Sequence, residues 1–350
     1  MRILELSYSL ASGGAEHFAV DLCNALTVGN EVVLLTSDDD RAISNRHYRS
    51  EVSREVRYVN LACKSGHSIS ALFRICKTVL RYRPDIVHFH TDLFAVLLAV
   101  LCFRKCAYVQ TIHSLAGVYL KNPLLKPLYR YIYKRLVVPV TISKQCSVSY
   151  RNLYGLDNDV LIVNGRSRPG LTGDREKVRE KLNAFSKGRP VFIHVARYGA
   201  PKNQKVLFDA FDRMSNVCLV VVGGGFPTAV MDAVDASKVM FTGALSNVAD
   251  YLAVSDFFVL SSLYEGLPLA LLEAMSYGVI PISTPAGGVC DVIRDGENGF
   301  LSKGFDADSL AEAMQRALNH PVSKQLVIDE YERYYSMKSC AVQYLELFKK

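Results

Sequence analysis

The sequence predicts an α/β protein with two doubly wound, Rossmann-like domains, each built on a parallel sheet. Short apolar runs alternate with amphipathic stretches through both halves of the chain, which is the pattern of strands joined by crossover helices. The 350 residues suffice for about two domains of ordinary size. A segment rich in Gly, Pro and charge at 165–190 separates the halves and predicts a linker followed by a short helix.

In the first half, predicted strands and helices alternate from the first residues onward. The strands are RILELS, EVVLLTS, DIVHFH and AYVQTIH, and the helices cover 16–26, 70–80 and 93–100. A loop is expected after EVVLLTS. Because the carboxyl ends of parallel strands share one edge of a sheet, polar residues that end these strands are expected to line a ligand site.

The second half repeats this alternation. Its strands are VFIHVAR, CLVVVGG, VMFTGA, DFFVLSS and VIPIST, with helices near 202–214, 246–254, 268–277 and 306–318. We therefore predict a first domain at 1–165, a linker at 166–188, a second domain at 189–330, and a helix at 331–350 that packs back on the first domain. Two such domains facing each other would leave a ligand-binding cleft between the carboxyl ends of their strands.

Composition excludes several classes of protein. The longest apolar run, 93–103, has 11 residues, whereas a helix that crosses a bilayer needs about 20. Glu5 interrupts the N-terminal apolar stretch, which favours a first strand over a signal peptide. The nine cysteines include no C-x-x-C pair and no zinc-like spacing. We expect a cytoplasmic protein with reduced cysteines.

The positive charge lies entirely in the first half. Residues 1–165 carry 20 Lys and Arg against 13 Asp and Glu, whereas 166–350 carry 21 of each, which accounts for the net charge of +7. Such an imbalance predicts that the first domain faces an anionic partner. No module with base-stacking aromatic residues is recognisable, so a nucleic-acid partner is not expected.

The segment 120–136 interleaves basic and aromatic residues. On a helix, Lys126, Arg130 and Lys134 would lie on one face. The apolar residues of another face are Leu125, Leu128, Ile132 and Leu136. The pattern predicts either contact with an anionic membrane surface or an ordinary amphipathic helix packed on the sheet.

The most informative motif is SSLYEGLPLALLEAMSYG, residues 261–278. Glu265 follows a predicted strand, and Glu273 falls eight residues later on a helix that Pro268 can start. Backbone N–H groups at the positive end of that helix would form a phosphate cradle; its residues are Gly266, Leu267, Pro268 and Leu269. The two carboxylates can accept hydrogen bonds from sugar hydroxyls.

Two further features suit an anionic ligand. Arg197 ends the strand VFIHVAR and Lys202 follows five residues later, and two cations there fit a diphosphate. After the first strand, Gly13 and Gly14 precede a helix with Glu16 in its first turn. This turn either brings backbone close to a ligand or is a tight turn without one.

These motifs together, with GGAE, PDIVHFH, TIH, LVVVGGG and PISTPAGGVCDVIRDGENGFL, resemble the retaining glycosyltransferases of family four (glycosyl transferases group 1), which have the GT-B fold and serve bacterial polysaccharide biosynthesis. The resemblance implies that Glu273 holds the ribose of a nucleotide sugar and Glu265 the hydroxyls of the donor sugar. It assigns the diphosphate to Arg197 and Lys202, helped by backbone of the 266–269 turn.

The resemblance also assigns roles in the first domain. His113, which closes the strand AYVQTIH, lies near the donor sugar and the reacting centre, so it joins Glu265, Arg197 and Lys202 in the expected catalytic set. Gly14 is assigned to the donor. The acceptor-side residues are Gly13, Glu16 and His90. Two departures from the family pattern are ARYGAPKNQ in place of G-R-x-x-x-x-K-G and Asp291 in place of Glu.

Two sets of residues could formally bind a metal. His88, His90 and Asp92 alternate along DIVHFHTD and would share a strand face, but the family shows H-x-H here without a metal. The run Asp38–Asp40 resembles a D-x-D metal clasp of a different transferase fold, or is a solvated turn. We expect no metal and no cofactor, with the nucleotide sugar as co-substrate.

The expected activity is metal-independent, retaining transfer of a hexose-type sugar from a nucleotide diphosphate sugar, with UDP favoured. The expected acceptor is a lipid-linked or growing glycan in cell-surface polysaccharide synthesis, which would bring the protein to the inner face of the cytoplasmic membrane as a peripheral protein. The alternatives are a nucleotide-sugar epimerase of the same two-lobed fold and a noncatalytic nucleotide-sugar sensor. The donor sugar and base, the acceptor, the linkage and the oligomeric state are left open.

Overall fold

The computed structural model describes residues 1–65, 68–91, 106–120, 122–320 and 322–350. The chain forms two compact units. Unit 1 comprises residues 1–166 and 337–350, and unit 2 comprises residues 167–336. Asp92 and the helix predicted at 93–100 lie outside the described residues.

Unit 1 contains a seven-stranded parallel sheet of order β3-β2-β1-β4-β5-β6-β7. Its strands are β1 (Arg2–Ser7), β2 (Glu31–Asp38), β3 (Arg57–Cys63), β4 (Ile86–Phe89), β5 (Ala107–Ile112), β6 (Val138–Thr141) and β7 (Val160–Leu161). Its helices up to the boundary are α1 (Gly14–Leu26), α2 (Ile69–Tyr82), α3 (Ala116–Tyr119), α4 (Lys126–Arg135) and α5 (Lys144–Tyr154). The strand order reverses between β1 and β4, which makes that junction the topological switch point.

Strand β3 lies where the sequence predicts a loop, so that prediction is wrong. The strand is at the edge of the sheet, and most of its residues are only half-buried. An edge strand that is exposed on one side does not need a continuous apolar run, and RYVNLAC mixes polar and apolar residues. The hydropathy signal on which the other strands were predicted is therefore absent here.

Unit 2 contains a six-stranded parallel sheet of order β10-β9-β8-β11-β12-β13. Its strands are β8 (Val191–Val195), β9 (Cys218–Val222), β10 (Val239–Gly243), β11 (Phe257–Leu260), β12 (Ile280–Ser283) and β13 (Phe300–Leu301). Its helices are α6 (Arg175–Ser186), α7 (Gln204–Asp212), α8 (Thr228–Asp232), α9 (Val248–Leu252), α10 (Leu269–Ser276), α11 (Ala307–Asn319) and α12 (Lys324–Glu330). Its switch point lies between β8 and β11.

The segment predicted as a linker, 166–188, belongs almost wholly to unit 2 and contains α6. Val178 and Leu182 of this helix are buried, because an amphipathic helix gains free energy by covering its apolar side. Its charged composition describes only the exposed side of the helix.

The last helix, α13 (Met337–Phe348), belongs to unit 1. Tyr344 and Phe348 pack in the same apolar cluster as Phe18 of α1. The hydroxyl of Tyr344 lies 2.7 Å from Oγ1 of Thr111 on β5. The chain therefore returns to unit 1 at Met337, six residues later than the helix start predicted at residue 331.

Buried apolar side chains cover both faces of the unit 1 sheet, as expected for parallel strands between helix layers. In unit 2, β9 and β11 are buried along their whole length. The predicted fold class of two doubly wound α/β units is confirmed. Within the described ranges, no helix is both long enough and apolar enough to span a lipid bilayer.

Candidate functional site

A polar site of unit 2 lies at its switch point, where β8 and β11 end side by side. The loop after β8 carries Lys202 in a short 3-10 turn, and the loop after β11 carries Glu265. Two hydrogen bonds join the loops: the Leu263 N–H donates to the Pro201 carbonyl over 2.9 Å, and the Ser261 hydroxyl donates to the Lys202 carbonyl over 2.8 Å. These two hydrogen bonds hold together the loops that carry the Lys202 ammonium and the Glu265 carboxylate.

Lys202 and Glu265 form an ion pair. The Lys202 ammonium donates to Oε1 of Glu265 over 2.6 Å, and the Ser262 hydroxyl donates to the same oxygen over 2.6 Å. Glu265 is buried, whereas about a third of the Lys202 side chain (32%) is exposed. The sequence predicts separate ligand contacts for these two residues, and the structure brings them into direct contact. The carboxylate holds the ammonium in one orientation with part of it facing solvent.

Arg197 supplies a second cation at the end of β8. Its carbonyl accepts a hydrogen bond from Nε2 of Gln204 over 2.9 Å, which fixes the backbone. The side chain is exposed, and its guanidinium has no ion-pair partner among the residues that the structure describes. It therefore remains available to an anion.

The predicted phosphate cradle precedes α10. Pro268 occupies the N-cap position, and no side chain caps the helix, so N–H groups of its first turn are left for solvent or a ligand. Gly288 contacts this turn: its N–H donates to the Glu265 carbonyl over 3.0 Å. A Cβ at position 288 would overlap the carbonyl oxygen of Gly266. Glycine there permits the close backbone contact that places the turn.

Glu273 lies half-buried in the second turn of α10. The structure thus brings Lys202, Glu265 and the 266–269 turn together at one sheet edge, and Glu273 is on the helix that follows the turn.

Gly223, which follows β9, is a second glycine with a close backbone contact: its φ of +145° and the backbone of Ala196 exclude a side chain there.

Unit 1 has a buried polar cluster at its own switch point. Oε2 of Glu5 on β1 lies 2.7 Å from Nε2 of His90 and 2.8 Å from Nδ1 of His88 on β4. Nδ1 of His90 in turn lies 3.1 Å from Nε2 of His113, which follows β5. Glu5, His88 and His90 are buried, and His113 is half-buried. The predicted acceptor-side residue His90 and the predicted catalytic residue His113 are therefore in direct contact.

The surroundings shift the pKa values of this cluster. Burial alone would raise the pKa of Glu5, but the charge and hydrogen bonds of His88 and His90 outweigh it and lower the pKa to about 2. Burial lowers the pKa of His90 to about 4. Burial and the neighbouring imidazoles lower the pKa of His113 well below its usual value.

The residues that could bind a metal in the structure differ from the set predicted from the sequence. Glu5, His88 and His90 offer ligand atoms within 4.8 Å of one another, so they could hold an ion by proximity, whereas Asp92 is outside the described residues. Oε2 of Glu5 lies near both histidines, whereas Oε1 of Glu5 and Nδ1 of His88 make no hydrogen bond to a described residue. Of the run Asp38–Asp40, Asp38 ends β2, the carboxylate of Asp39 pairs with Arg41, and Asp40 accepts a hydrogen bond from the Tyr58 hydroxyl over 3.0 Å.

The Gly13–Gly14 turn starts α1. Gly13 is the N-cap residue, and the Glu16 carboxylate lies over it where a Cβ would be. Burial raises the pKa of Glu16. Gly14 is exposed with no atom near its missing Cβ, so the turn leaves room for a ligand.

The sequence reasoning missed Glu5 as a functional residue and Ser262 as a partner of Glu265. A signal for Glu5 was present: a charged residue in an otherwise apolar strand requires a buried partner, and the two histidines of DIVHFH were the available partners. His194, by contrast, is the core histidine expected from its position within a strand. It is buried, with Nδ1 2.9 Å from the Val259 carbonyl.

The basic segment is a 3-10 turn at Pro123–Leu125 followed by α4. Its expected apolar face is only partly buried: Ile132 is buried, but Leu125, Leu128 and Leu136 are exposed. Tyr129 and Tyr133 fill the core in their place, because the buried side of α4 is centred on these rings. Three of the four residues 125, 128, 132 and 136 are therefore not packed against the sheet, as the ordinary amphipathic-helix alternative would require.

Gly288→Ala is expected to destabilise unit 2 by about 1–3 kcal/mol, because the added methyl forces the 266–269 turn away from its position. The thermal midpoint should fall by roughly 2–4 °C per kcal/mol. Gly170→Ala, at an exposed glycine with open space around it, is the matched control. Equal midpoints for the two variants would contradict the close approach described above.

Comparison with known proteins places both units in one family. The family model described as "Glycosyltransferase Family 4" matches residues 12–165, and that described as "Glycosyl transferases group 1" matches residues 174–334. UDP-Gal:alpha-D-GlcNAc-diphosphoundecaprenol alpha-1,3-galactosyltransferase of Escherichia coli is 24% identical over 294 residues, which cover 74% of this chain and 72% of that protein. N-acetyl-alpha-D-glucosaminyl L-malate synthase of Bacillus anthracis is 26% identical over 260 residues, covering 70% and 68%.

Solved structures share the whole fold. HepE of Anabaena in complex with UDP matches with a TM-score of 0.81 at 17% identity, covering 100% of both chains. The same protein in complex with UDP-glucose matches with a TM-score of 0.77 at 18% identity, covering 100% of this chain and 99% of that one. Since the two family models together account for nearly the whole chain, and the fold is that of GT-B glycosyltransferases, the protein belongs to the group 1 glycosyltransferases of family 4.

Proposed function

We propose that this glycosyltransferase transfers a hexose-type sugar, with retention of configuration, from a UDP-sugar to a lipid-linked or growing glycan acceptor in cell-surface polysaccharide synthesis. The observation that carries the proposal is the Lys202–Glu265 pair beside the uncapped N-terminus of α10. Fixed cations, an open helix N-terminus and a buried carboxylate suit a ligand that joins a diphosphate to a sugar.

In this proposal unit 2 binds the donor. Arg197, Lys202 and the backbone of the 266–269 turn hold the diphosphate, and the half-buried Glu273 holds the ribose hydroxyls. Glu265 has two proposed roles. It orients Lys202 through Oε1, and its carboxylate accepts a hydrogen bond from a hydroxyl of the donor sugar. The relatives support a UDP-sugar as the donor, because one is named for a UDP-Gal donor and the HepE structures contain UDP and UDP-glucose.

The proposed chemical step is attack on the same face as the leaving group. The bond from the anomeric carbon to the phosphate oxygen breaks while the acceptor oxygen bonds to that carbon, and the acceptor proton passes to the leaving diphosphate. Negative charge therefore develops on the diphosphate, where Lys202, Arg197 and the helix N-terminus stabilise it. The protein contributes chiefly positioning and charge stabilisation.

Unit 1 is proposed to serve the acceptor and the reacting sugar. His113 is assigned to the reacting centre, Gly14 to the donor, and Gly13, Glu16 and His90 to the acceptor side. The half-buried His113 can reach a ligand while its ring is held by the buried His90. The relative whose name contains diphosphoundecaprenol supports a lipid-linked acceptor.

Product analysis tests the proposal directly. Purified protein with a panel of UDP-sugars and a lipid-diphosphate glycan acceptor should give a longer glycan with retained anomeric configuration. An altered nucleotide sugar formed without acceptor would favour an epimerase instead. Ligand-dependent stabilisation without any product would favour a sensor.

Glu273→Ala is expected to weaken donor binding, whereas Glu265→Ala should chiefly lower kcat. A ribose contact is shared by the ground and transition states, but a contact to the reacting sugar and to Lys202 strengthens as charge develops. Donor-dependent thermal shift gives the binding change, since ligand at 100 times Kd adds about 2.7 kcal/mol, and steady-state kinetics give kcat. Unchanged binding and unchanged turnover in both variants would reject the donor site.

Turnover is expected to be independent of divalent metal ions. In the proposal, Arg197, Lys202 and the N-terminus of α10 stabilise the negative charge of the diphosphate, which a bound divalent ion would otherwise do. Activity should therefore persist after EDTA treatment and gel filtration. A loss that is reversed by magnesium or manganese would contradict this proposal.

We also propose that α4 docks unit 1 on an anionic membrane, with its bases facing the lipid headgroups and its exposed Leu128 and Tyr131 at the interface. Each basic residue near such a surface contributes about 1 kcal/mol. Lys126→Ala/Lys134→Ala should reduce sedimentation with anionic vesicles. Arg130 is left intact because its Nε donates to the Tyr154 carbonyl over 2.8 Å.

The matched control for docking is Lys177→Ala/Lys205→Ala, which removes two exposed lysines of unit 2 with the same change in net charge. This control variant should sediment as the unaltered protein does. High salt should release both proteins from the vesicles, since the screening length falls from about 8 Å at physiological salt to about 3 Å at 1 M. Sedimentation that ignores lipid charge and salt, or no sedimentation, would reject electrostatic docking. Equal loss in both double variants would reject α4 as the contact.

A further inference from the structure

Helix α2 of unit 1 packs on the sheet through one side only. Its buried residues are Ala71, Ile75, Thr78 and Val79. Ile75 and Val79 belong to the apolar cluster on one face of the sheet. The opposite side of the helix is exposed to solvent, and the residues that occupy it are unusual for an exposed surface.

Half of this exposed side is a strip of large apolar side chains. Ile69, Phe73 and Leu80 are 72%, 72% and 54% exposed. Their spacings of four and seven residues align them along the helix. Single exposed apolar residues are ordinary, but a contiguous group marks a surface that contacts another molecule or a membrane. We call these three residues the apolar strip.

The other half of the exposed side is basic. Lys77 lies four residues after Phe73, and Arg81 four residues after Lys77, so these two exposed bases run beside the apolar strip. Arg74 is a third exposed base, but its Nη1 donates to the Leu61 carbonyl over 2.8 Å, which ties it to β3. The 14 residues of α2 include no Asp or Glu. The exposed side of α2 is therefore apolar along one edge and positively charged along the other.

Helix α2 lies in the same layer as the basic helix α4. Tyr129 and Tyr133 of α4 belong to the apolar cluster that contains Ile75 and Val79 of α2, whereas α1 and α13 contribute to the cluster on the other face of the sheet. Both α2 and α4 therefore cover one face, and their exposed sides are turned away from it. A flat, extended partner on that side of unit 1 would meet both helices.

A lipid bilayer fits these features better than a protein partner does. Anionic headgroups complement a helix that carries only positive charge, and long basic side chains reach headgroups while their stems lie on apolar surface. The three side chains of the apolar strip supply only part of the roughly 800 Å² per partner of a stable protein interface. A bilayer takes up an amphipathic helix without a matching surface.

We propose that α2 is an interfacial helix, in which Ile69, Phe73 and Leu80 insert among the lipids of an anionic bilayer while Lys77 and Arg81 contact the headgroups. The proposal rests on the proposed function for the kind of partner, which it shares with α4. It differs in its residues and in the physical effect, because α4 supplies mainly charge and the apolar strip supplies burial of apolar surface.

The two helices are expected to act together. A small apolar anchor alone gives marginal, reversible membrane binding, and stable binding takes a second signal such as a group of bases. Insertion of the apolar strip should therefore require anionic lipid and should be lost at high salt, when the bases no longer hold unit 1 at the surface.

Fluorescence tests insertion directly, because the chain contains no tryptophan. Phe73→Trp in the full chain places a single probe in the apolar strip. On vesicles of phosphatidylglycerol and phosphatidylcholine its emission should shift to the blue and be quenched by brominated lipid, whereas vesicles of phosphatidylcholine alone should leave it unchanged. The matched probe is Val28→Trp, at an 83% exposed position that follows α1; its emission should not change.

Three results of this measurement would overturn the proposal. They are an unshifted Phe73→Trp emission while the protein sediments with the same vesicles, an equal shift in both probe variants, and no sedimentation of either variant. Failure of α4 as the contact is distinguishable, since Lys126→Ala/Lys134→Ala would then sediment normally while the Phe73→Trp emission still shifts. The measurement uses no substrate, so it does not depend on transferase activity.

A loss-of-binding variant gives the second test. Phe73→Ser/Leu80→Ser should lower the vesicle partition coefficient about 10-fold at physiological salt with an unchanged thermal midpoint, since both side chains are exposed. The control Val28→Ser/Val342→Ser removes two other exposed apolar side chains of unit 1 and should bind as the unaltered protein does. Equal partition coefficients for the two double variants would overturn the proposal.

A second copy of this chain is the competing occupant of the apolar strip. Light scattering without lipid should give the same mass for the unaltered protein and for Phe73→Ser/Leu80→Ser. A dimer that dissociates in this variant would make the exposed side of α2 an interface between copies and would overturn the membrane proposal.

Discussion

Parallel strand pairing is the constraint on which the arrangement of both units depends. A parallel sheet needs crossover connections, and where consecutive crossovers turn to opposite sides, two neighbouring strands end with nothing covering their carboxyl ends. In unit 1 these strands are β1 and β4, and in unit 2 they are β8 and β11. Each switch point collects the polar residues that the surrounding apolar strands cannot accommodate.

In unit 2 the site depends on close backbone contacts as much as on charge. Two loops from β8 and β11 are joined by hydrogen bonds of Leu263 and Ser261, which set the distance between Lys202 and Glu265. Gly288 allows the turn before α10 to lie against its neighbour. These backbone contacts hold a cation, a carboxylate and a helix N-terminus together, as the proposed donor site requires.

Unit 1 places a buried carboxylate, Glu5, beside two histidines at its switch point. Glu5 lies beside His88 and His90, and His88 lies 2.8 Å from Thr111, whose Oγ1 is 2.7 Å from the Tyr344 hydroxyl of the C-terminal helix. The helix at 337–348 is thereby part of the same polar core as β1, β4 and β5. The polar cluster of unit 1 therefore forms only when the C-terminal helix packs on the sheet, since its residues come from both β1 and that helix.

The sequence by itself determined the fold class, the strands with continuous apolar runs and the motif around Glu265, because these signals are local in the chain. It could not determine β3, whose edge position removes the apolar pattern, or the buried side of α4, which is set by the rings of Tyr129 and Tyr133. Only the tertiary structure decided that Lys202 bonds Glu265 and that Glu5 reaches His113 through His90. Lys202 and Glu265 are 63 residues apart and Glu5 and His90 are 85 apart, and strand order and register, which no local pattern encodes, bring each pair within hydrogen-bond distance.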